Sequence, residues 1–172
     1  NINLPVEIPY LKNILHQLCN SPLAEKINDD KIKSSPLTVI ISSFSYKEGL
    51  PQEDYPNGGG FVFDCRSIHN PGRYEPYKTQ TGRDQSVKDF LLAESHIEDF
   101  LHHVFGIVDK AVEISIERNY EKLSVHFGCT GGQHRSVYSA DAMTKHLQEK
   151  YGIQTKLTHT VQERKNWVNE RY

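Results

Sequence analysis

The residues best suited to chemistry lie together in one glycine-rich stretch. That stretch reads Gly128-Cys129-Thr130-Gly131-Gly132-Gln133-His134-Arg135-Ser136. An apolar run that predicts a buried strand precedes it, and a run with helical spacing follows it. Glycines let the backbone approach a ligand closely, and the first N–H groups of a helix lack intrahelical partners and attract anions. The stretch therefore predicts a cradle for an oxyanion such as a phosphate group.

The side chains of this stretch add donors of the same kind. Arg135 has a planar guanidinium that matches phosphate oxygens, and Thr130 and Ser136 add hydroxyl groups. The stretch is not a Walker A loop, since no Gly-Lys-Ser/Thr follows the glycines, and it is not a Gly-x-Gly-x-x-Gly fingerprint. The alternative is a tight strand-to-helix turn without a ligand, but the neighbouring Cys129 and His134 favour a ligand site.

A catalytic interpretation rests on the spacing of two residues. Five residues separate Cys129 from Arg135, a spacing similar to the loop of cysteine-dependent phosphatases. In such a loop a thiolate at a helix N-terminus attacks phosphorus while the arginine holds the oxygens. Asp64 is the candidate general acid for that reaction. In the alternative, Cys129 is only a small apolar residue at the end of a strand.

Composition narrows the class of protein. The chain has 172 residues, a 37% apolar share and a 24% charged share, which is typical of one globular domain. Its net charge of -2 argues against a dedicated nucleic-acid binder, and no apolar run reaches the length of a membrane span. The three cysteines (Cys19, Cys65 and Cys129) have no paired spacing, which favours a reducing compartment. We therefore expect a cytoplasmic protein without a membrane partner, a metal or a cofactor.

The order of apolar runs predicts an α/β layered domain. The predicted strands cover residues 37–44, 61–66, 122–127 and 155–160. The predicted helices cover residues 8–18, 87–111 and 135–149, the second of them as one or two helices with Gly106 as the candidate break. Loops are predicted over residues 28–36, 48–60 and 70–84. Alternating strands and helices favour a central, mostly parallel sheet of about four strands flanked by helices. We expect residues 1–36 to form an N-terminal helix and linker, and residues 37–172 to form the binding domain.

Other polar residues have two interpretations each. Asp64 and Arg66 are two apart on a predicted strand and so share a face, where they form either a ligand clamp or an ion pair. His126 lies within a predicted strand and is expected in the core. His102 and His103 are expected to face solvent or to pack on a helix rather than to bind a metal.

Several separated blocks of the sequence match one family in the same order. They are 44–51 (FSYKEGLP), 61–66 (FVFDCR), 70–71 (NP), 81–84 (TGRD) and 128–138 (GCTGGQHRSVY). Together they resemble the C-terminal domain of the RapZ family, the RNase adapter proteins, over roughly residues 38–165. Blocks that keep their order over this length are far more specific than the glycines alone.

The resemblance implies a regulatory binding domain rather than an enzyme. It implies an α/β domain that binds a phosphorylated amino sugar, glucosamine 6-phosphate in the best-known case, and a role in RNA binding that controls the cleavage of small RNAs. Members of the family usually carry an N-terminal P-loop nucleotide-binding domain. Because the chain starts with Asn1, we expect it to be the C-terminal part of a longer protein with such a kinase-like domain upstream. An oligomeric assembly is left open.

The resemblance also implies which residues form the site. The cradle is expected to consist of Cys129, Thr130, Gly131, Gly132, His134, Arg135 and Ser136. Asp64 and Arg66 are expected to flank it, and Thr81, Gly82 and Asp84 to close it from a loop. The sequence departs from the family at Gln133, where lysine is common, and at Gly72, where histidine is frequent. Its C-terminal end is also less basic than that of the family.

Overall fold

Four parallel strands form the centre of the structure, a computed structural model in which residues 29–52 and 59–170 are described. The strands are β1 (Thr38–Ser45), β2 (Gly60–Asp64), β3 (Lys122–Cys129) and β4 (Gln154–His159). Their order across the sheet is β2-β3-β1-β4, and all three pairings are parallel. The predicted layered α/β fold is confirmed. The helix predicted over residues 8–18 lies outside the described residues.

The two central strands are buried on both faces. β1 and β3 consist largely of side chains without contact with solvent, as expected for parallel strands covered by helices. β2 lies at the edge, where half-buried Phe61 and Phe63 alternate with more exposed neighbours. The register pairs Ser45 with Cys129 and Asp64 with Gly128, so that these three strands end at one edge of the sheet.

Five helices accompany the sheet in the described part of the chain. They are α1 (Asp29–Lys33), α2 (Gln85–Glu94), α3 (Ile97–Glu117), α4 (Arg135–Tyr151) and α5 (Thr160–Arg164). α4 packs against β1, β3 and β4, and α3 packs against β3 and α4. Val137, Ala140, Met143 and Leu147 of α4 are fully buried. No helix within these described ranges is long and apolar enough to span a membrane.

Two predictions of helix boundaries are wrong. The polar segment 28–36 contains the short helix α1 instead of a continuous loop. The helical region over 87–111 is interrupted at Ser95 and His96, not at Gly106, which lies inside α3. The physical reason is local, because Ser95 is extended and its hydroxyl donates to the Leu91 carbonyl, while Gly106 faces open space and needs no special conformation.

The second strand is shorter than predicted. It ends at Asp64, and Cys65–Ser67 form a 3-10 turn capped by the Asp64 side chain, which accepts from the Arg66 N–H at 2.9 Å. Arg66 therefore does not share a strand face with Asp64, because the chain turns between them. Two further 3-10 turns, Pro71–Arg73 and Glu75–Tyr77, lie within the segment predicted as a loop.

Candidate functional site

A small cavity lies at the carboxyl edge of the sheet, next to the N-terminus of α4. Its volume is about 160 Å³. The residues that line it are Lys47, Asn70, Gly72, Cys129, Thr130, Gly131, Gln133, His134 and Arg135. Five of the seven residues expected in the cradle are among them, all except Gly132 and Ser136. The glycine-rich stretch thus surrounds a real concavity, whose size suits a single tetrahedral anion.

The backbone conformation of the stretch depends on Gly132. Its φ is +62°, a conformation that favours glycine. A Cβ there would lie 2.6 Å from the Val161 Cγ2 atom and 3.1 Å from the Phe44 carbonyl carbon. A Cβ on Gly131 would meet nothing within 4 Å, because this residue borders the cavity. Gly132 is therefore required by the turn, whereas Gly131 leaves space on the ligand side.

The turn leaves a group of backbone donors unused. The first hydrogen bond at the start of α4 runs from the Tyr138 N–H to the His134 carbonyl at 2.9 Å. The N–H groups of residues 131–134 donate no hydrogen bond to another described residue. Unused N–H groups and the positive end of the helix dipole together make a favourable environment for an anion.

Arg135 places a guanidinium beside these donors, yet only 4% of the residue is exposed. Its Nη1 donates to the carbonyls of Arg66 at 3.0 Å and Ile68 at 2.8 Å, which fixes the 66–68 turn against α4. Its Nε is the single buried side-chain nitrogen or oxygen in the described ranges that has no hydrogen-bond partner. A buried unsatisfied donor is unfavourable by about 1–3 kcal/mol, so the position of this guanidinium costs the fold free energy.

His134 is buried next to the same cavity. Its Nε2 lies 2.8 Å from the Tyr77 carbonyl, so Nε2 carries the proton and donates. Burial lowers the pKa of His134, which favours the neutral ring at physiological pH. In that form Nδ1 keeps a free lone pair and can accept a hydrogen bond from a hydroxyl group of a ligand.

The thiol of Cys129 lines the cavity but is 3% exposed. Its Sγ lies 3.1 Å from the hydroxyl of Ser136, which is fully buried behind the cavity wall. Cys65, which follows the neighbouring strand, is also buried, and burial raises the pKa of its thiol. Within the part of the chain that the structure describes, no group of three His, Cys, Asp or Glu residues could hold a metal ion.

Asp64 and Arg66 form an ion pair with each other. Arg66 donates from Nε to Oδ1 at 2.9 Å and from Nη2 to Oδ2 at 2.6 Å, and its guanidinium lies 4.0 Å from the centre of the Tyr46 ring. The hydrogen bond from Arg66 lowers the pKa of Asp64. Asp64 does not line the small cavity, whereas Arg66 lines a larger cleft beside it.

The loop containing Thr81, Gly82 and Asp84 supports the cradle from behind and does not line the cavity. Asp84 accepts hydrogen bonds from the Thr81 N–H at 2.6 Å and the Thr81 hydroxyl at 2.9 Å. The Gly82 N–H donates to the Gln133 carbonyl at 2.9 Å. A Cβ on Gly82 would lie 2.3 Å from the His134 carbonyl oxygen, so only glycine allows this approach.

Sequence patterns do not point to all the residues that shape the cavity. In the sequence Gln133 stands out only as the loss of a positive charge, but its side-chain amide donates to the carbonyls of Lys78 at 2.7 Å and Gln80 at 2.8 Å. Lys47 and Asn70 also line the cavity, and in the sequence they are marked only as members of blocks shared with the family. The sequence signal that could have identified them is their position after β1 and β2, because parallel strands end at one edge of the sheet.

A second polar cluster holds the supporting loop in place. Arg83 donates to Asp141 on α4 from Nε at 2.8 Å and from Nη2 at 2.9 Å. His159, at the end of β4, places Nε2 3.0 Å from the Asp141 carboxylate and Nδ1 2.7 Å from the Ser43 hydroxyl. The cluster therefore ties the 81–84 loop to α4, β4 and β1.

Gly82→Ala tests whether the close approach of the supporting loop is required. The added methyl group would collide with backbone at the start of α4, so we expect a loss of about 1–3 kcal/mol in the free energy of unfolding. Chemical denaturation measures this loss. Gly106→Ala is the matched control, because a Cβ there meets open space in a helix and should be neutral or stabilising. Equal stability of the two variants would contradict the proposed support.

The hydrogen bonds of Asp141 predict that the protein loses stability at acid pH. Burial alone would raise the pKa of Asp141, but hydrogen bonds from His159 and Arg83 outweigh it and hold the pKa at about 2, below the ordinary 3.8. A lowered pKa contributes stability that is present above pH 3.8 and lost as the pH falls towards 2, here about 2 kcal/mol. Asp141→Asn should remove this part of the pH dependence in denaturation curves between pH 6 and pH 2. An unchanged curve would refute the assignment.

Asp109→Asn is the matched control for the role of the Asp141 cluster in holding the supporting loop, which is measured by the amide resonances of the two variants. Asp109 also pairs with a histidine and a cation, His146 at 2.8 Å and Lys150 at 2.6 Å, but the supporting loop takes no part in this cluster. We expect Asp109→Asn to leave the amide resonances of the glycine-rich stretch unchanged and Asp141→Asn to shift them.

The chain matches one protein family over most of its length. The sequence pattern of the RapZ C-terminal domain matches residues 37–163. A nucleotide-binding protein of Ruminiclostridium cellulolyticum is 38% identical over 114 residues, which is 66% of this chain and 38% of that protein. A nucleotide-binding protein of Acinetobacter baylyi is 32% identical over 149 residues, which is 87% of this chain and 49% of that protein. The chain thus spans less than half the length of these relatives, and over the matched residues it belongs to the RapZ C-terminal domain family.

Proposed function

We propose that this chain is a regulatory binding domain that holds a phosphorylated metabolite by its phosphate group. The observation that carries the proposal is the set of unused N–H groups of residues 131–134, since Gly131, Gln133 and His134 line the cavity of about 160 Å³ together with Arg135. These donors would gain a partner if a phosphate occupied the cavity. Membership of the family supports a binding role, since its relatives carry the name of nucleotide-binding proteins.

The finer proposal concerns the ligand and the residues that bind it. The resemblance to the RapZ family favours an amino-sugar phosphate such as glucosamine 6-phosphate. The proposed contacts come from the cradle, with Thr130, Gly131, His134 and Arg135 facing the phosphate across the cavity. Gly132 and Ser136 contribute through the backbone conformation and the contact with the Cys129 thiol.

The alternative is a cysteine-dependent phosphatase that uses Cys129 and Arg135. The position of Cys129 in the cavity wall favours it. Two features weigh against it, because Nη1 of Arg135 is occupied by two carbonyls and because the lowered pKa of Asp64 keeps this carboxylate ionised at neutral pH, where it cannot donate a proton. Turnover of phosphomonoesters that disappears in Cys129→Ser would establish the alternative, and we expect no turnover.

RNA binding and an upstream P-loop domain complete the proposal taken from the family. The charges of the described C-terminal residues give only modest support for RNA binding. The reason is that Arg164 is already paired with Glu48 on the surface. Contacts between basic side chains and phosphates make RNA affinity fall steeply with salt. A titration with structured RNA at several salt concentrations tests this part, and weak binding independent of salt would exclude it.

A chemical-shift titration tests the phosphate site directly. We expect inorganic phosphate and glucosamine 6-phosphate, but not glucosamine, to shift the amide resonances of Gly131, Gly132, His134 and Arg135. Arg135→Lys should weaken phosphate binding about tenfold, since an ammonium lacks the planar donor fork. Arg164→Lys is the matched control, because it alters a surface arginine that does not line the cavity. No shifts at the glycine-rich stretch would show that it only turns the chain.

A further inference from the structure

The segment 160–169 packs behind the small cavity without lining it. Val161 in α5 is buried directly beneath the glycine-rich turn, since a Cβ on Gly132 would lie 2.6 Å from its Cγ2 atom. Arg164 donates from Nη1 to the carboxylate of Glu48 at 3.0 Å, in the loop that follows β1. The segment therefore contacts two of the stretches that build the cavity wall.

Trp167 adds a third contact, with the loop that supports the cradle. The guanidinium carbon of Arg83 lies 4.5 Å from the centre of the indole ring, which places the two groups for a cation–π interaction. The indole also meets the His159 ring in an edge-to-face arrangement, with 5.3 Å between the ring centres. Arg83 is thus held from two sides, by the Asp141 carboxylate and by the indole.

Arg83 connects this contact to the cavity through its neighbour in the chain. Gly82 donates its N–H to the Gln133 carbonyl at 2.9 Å, and a Cβ on Gly82 would lie 2.3 Å from the His134 carbonyl oxygen. Gln133 and His134 line the cavity, and their N–H groups are among the unused donors. Packing this close leaves no room for independent motion, so a displacement of Arg83 moves the backbone that carries these donors.

The backbone around Trp167 is strained. Asn166 and Trp167 have φ values of +50° and +61°, in the left-handed region that bulky residues rarely adopt. The Trp167 N–H donates to the Gln162 carbonyl at 2.8 Å, and the side-chain amides of Gln162 and Asn169 exchange hydrogen bonds at 3.0 Å and 3.2 Å. Such a conformation persists only where surrounding contacts enforce it. The position of the indole therefore depends on the contacts of the segment, the one with Arg83 included.

We propose that Trp167 is a positioning residue for the phosphate cavity, which acts through Arg83 and Gly82, and that an anion in the cavity in turn changes the packing of the indole. The two effects are one coupling, because an influence of the indole on anion affinity requires an equal influence of the anion on the indole. The proposal rests on the proposed function, since it takes the anion site in the cradle as given. The family pattern ends at residue 163, so Trp167 lies outside the matched residues.

The test uses the whole 172-residue chain, inorganic phosphate as the probe and two substitutions of Trp167. Trp167 is the only tryptophan of the chain, so tryptophan fluorescence reports on this position alone. We expect phosphate to change the emission of the wild type with the same dissociation constant that calorimetry measures. Trp167→Leu should weaken phosphate binding about three- to tenfold, whereas Trp167→Phe, which keeps an aromatic face for Arg83, should stay within about twofold of the wild type.

Val168→Ala is the matched control, because Val168 follows Trp167 in the chain but is 67% exposed. We expect this variant to bind phosphate like the wild type, and the fluorescence of the wild type decides the question even if Trp167→Leu does not fold. Phosphate binding that leaves the emission unchanged would overturn the positioning role. So would a folded leucine variant that binds like the wild type, or equal weakening by leucine and phenylalanine. Absence of phosphate binding to the wild type in calorimetry would instead overturn the phosphate cradle itself.

Discussion

Arg135 brings a permanent positive charge to a position where only 4% of the residue is exposed to solvent. The fold compensates for only part of the desolvation, because two backbone carbonyls accept from Nη1 and no residue that the structure describes accepts from Nε. Those two carbonyls belong to Arg66 and Ile68, so the same side chain that lacks a partner also holds the turn after β2. A buried charge that is partly satisfied by its own scaffold and partly unsatisfied favours an anionic ligand as the missing partner.

The parallel sheet determines that this charge lies among suitable neighbours. Parallel strands end at one edge, and the register pairs Ser45 with Cys129 and Asp64 with Gly128. The segments after β1, β2 and β3 therefore converge on the N-terminus of α4, where unused N–H groups accumulate. Lys47 and Asn70 enter the cavity wall by this topology, although they are far from the glycine-rich stretch in sequence.

Local patterns in the sequence predict the parts of this arrangement that depend on them. The four strands and the start of α4 follow from apolar periodicity and from the glycines at the strand-to-helix turn, and the anion cradle stays a prediction. The prediction that Asp64 and Arg66 share a strand face was wrong, because a 3-10 turn begins at Cys65. Strand periodicity does not reveal the side-chain cap that starts this turn. Asp84 and Gln133 bind backbone groups of Thr81, Lys78 and Gln80, which do not line the cavity, and such roles depend on loop conformation rather than on residue type.

Polar groups along α4 have hydrogen-bond partners within the protein, whereas several at its N-terminus do not. Asp141 and Asp109 each accept from a histidine and a cation, so the charges that brace α4 against its neighbours are paired within the protein. The polar groups at the start of the same helix are not paired in this way. Nε of Arg135 and the N–H groups of residues 131–134 have no partner among the described residues. If the turn were only structural, its buried donors would be expected to find acceptors as those elsewhere on α4 do. This contrast within one helix supports the proposal that its N-terminus binds an anion.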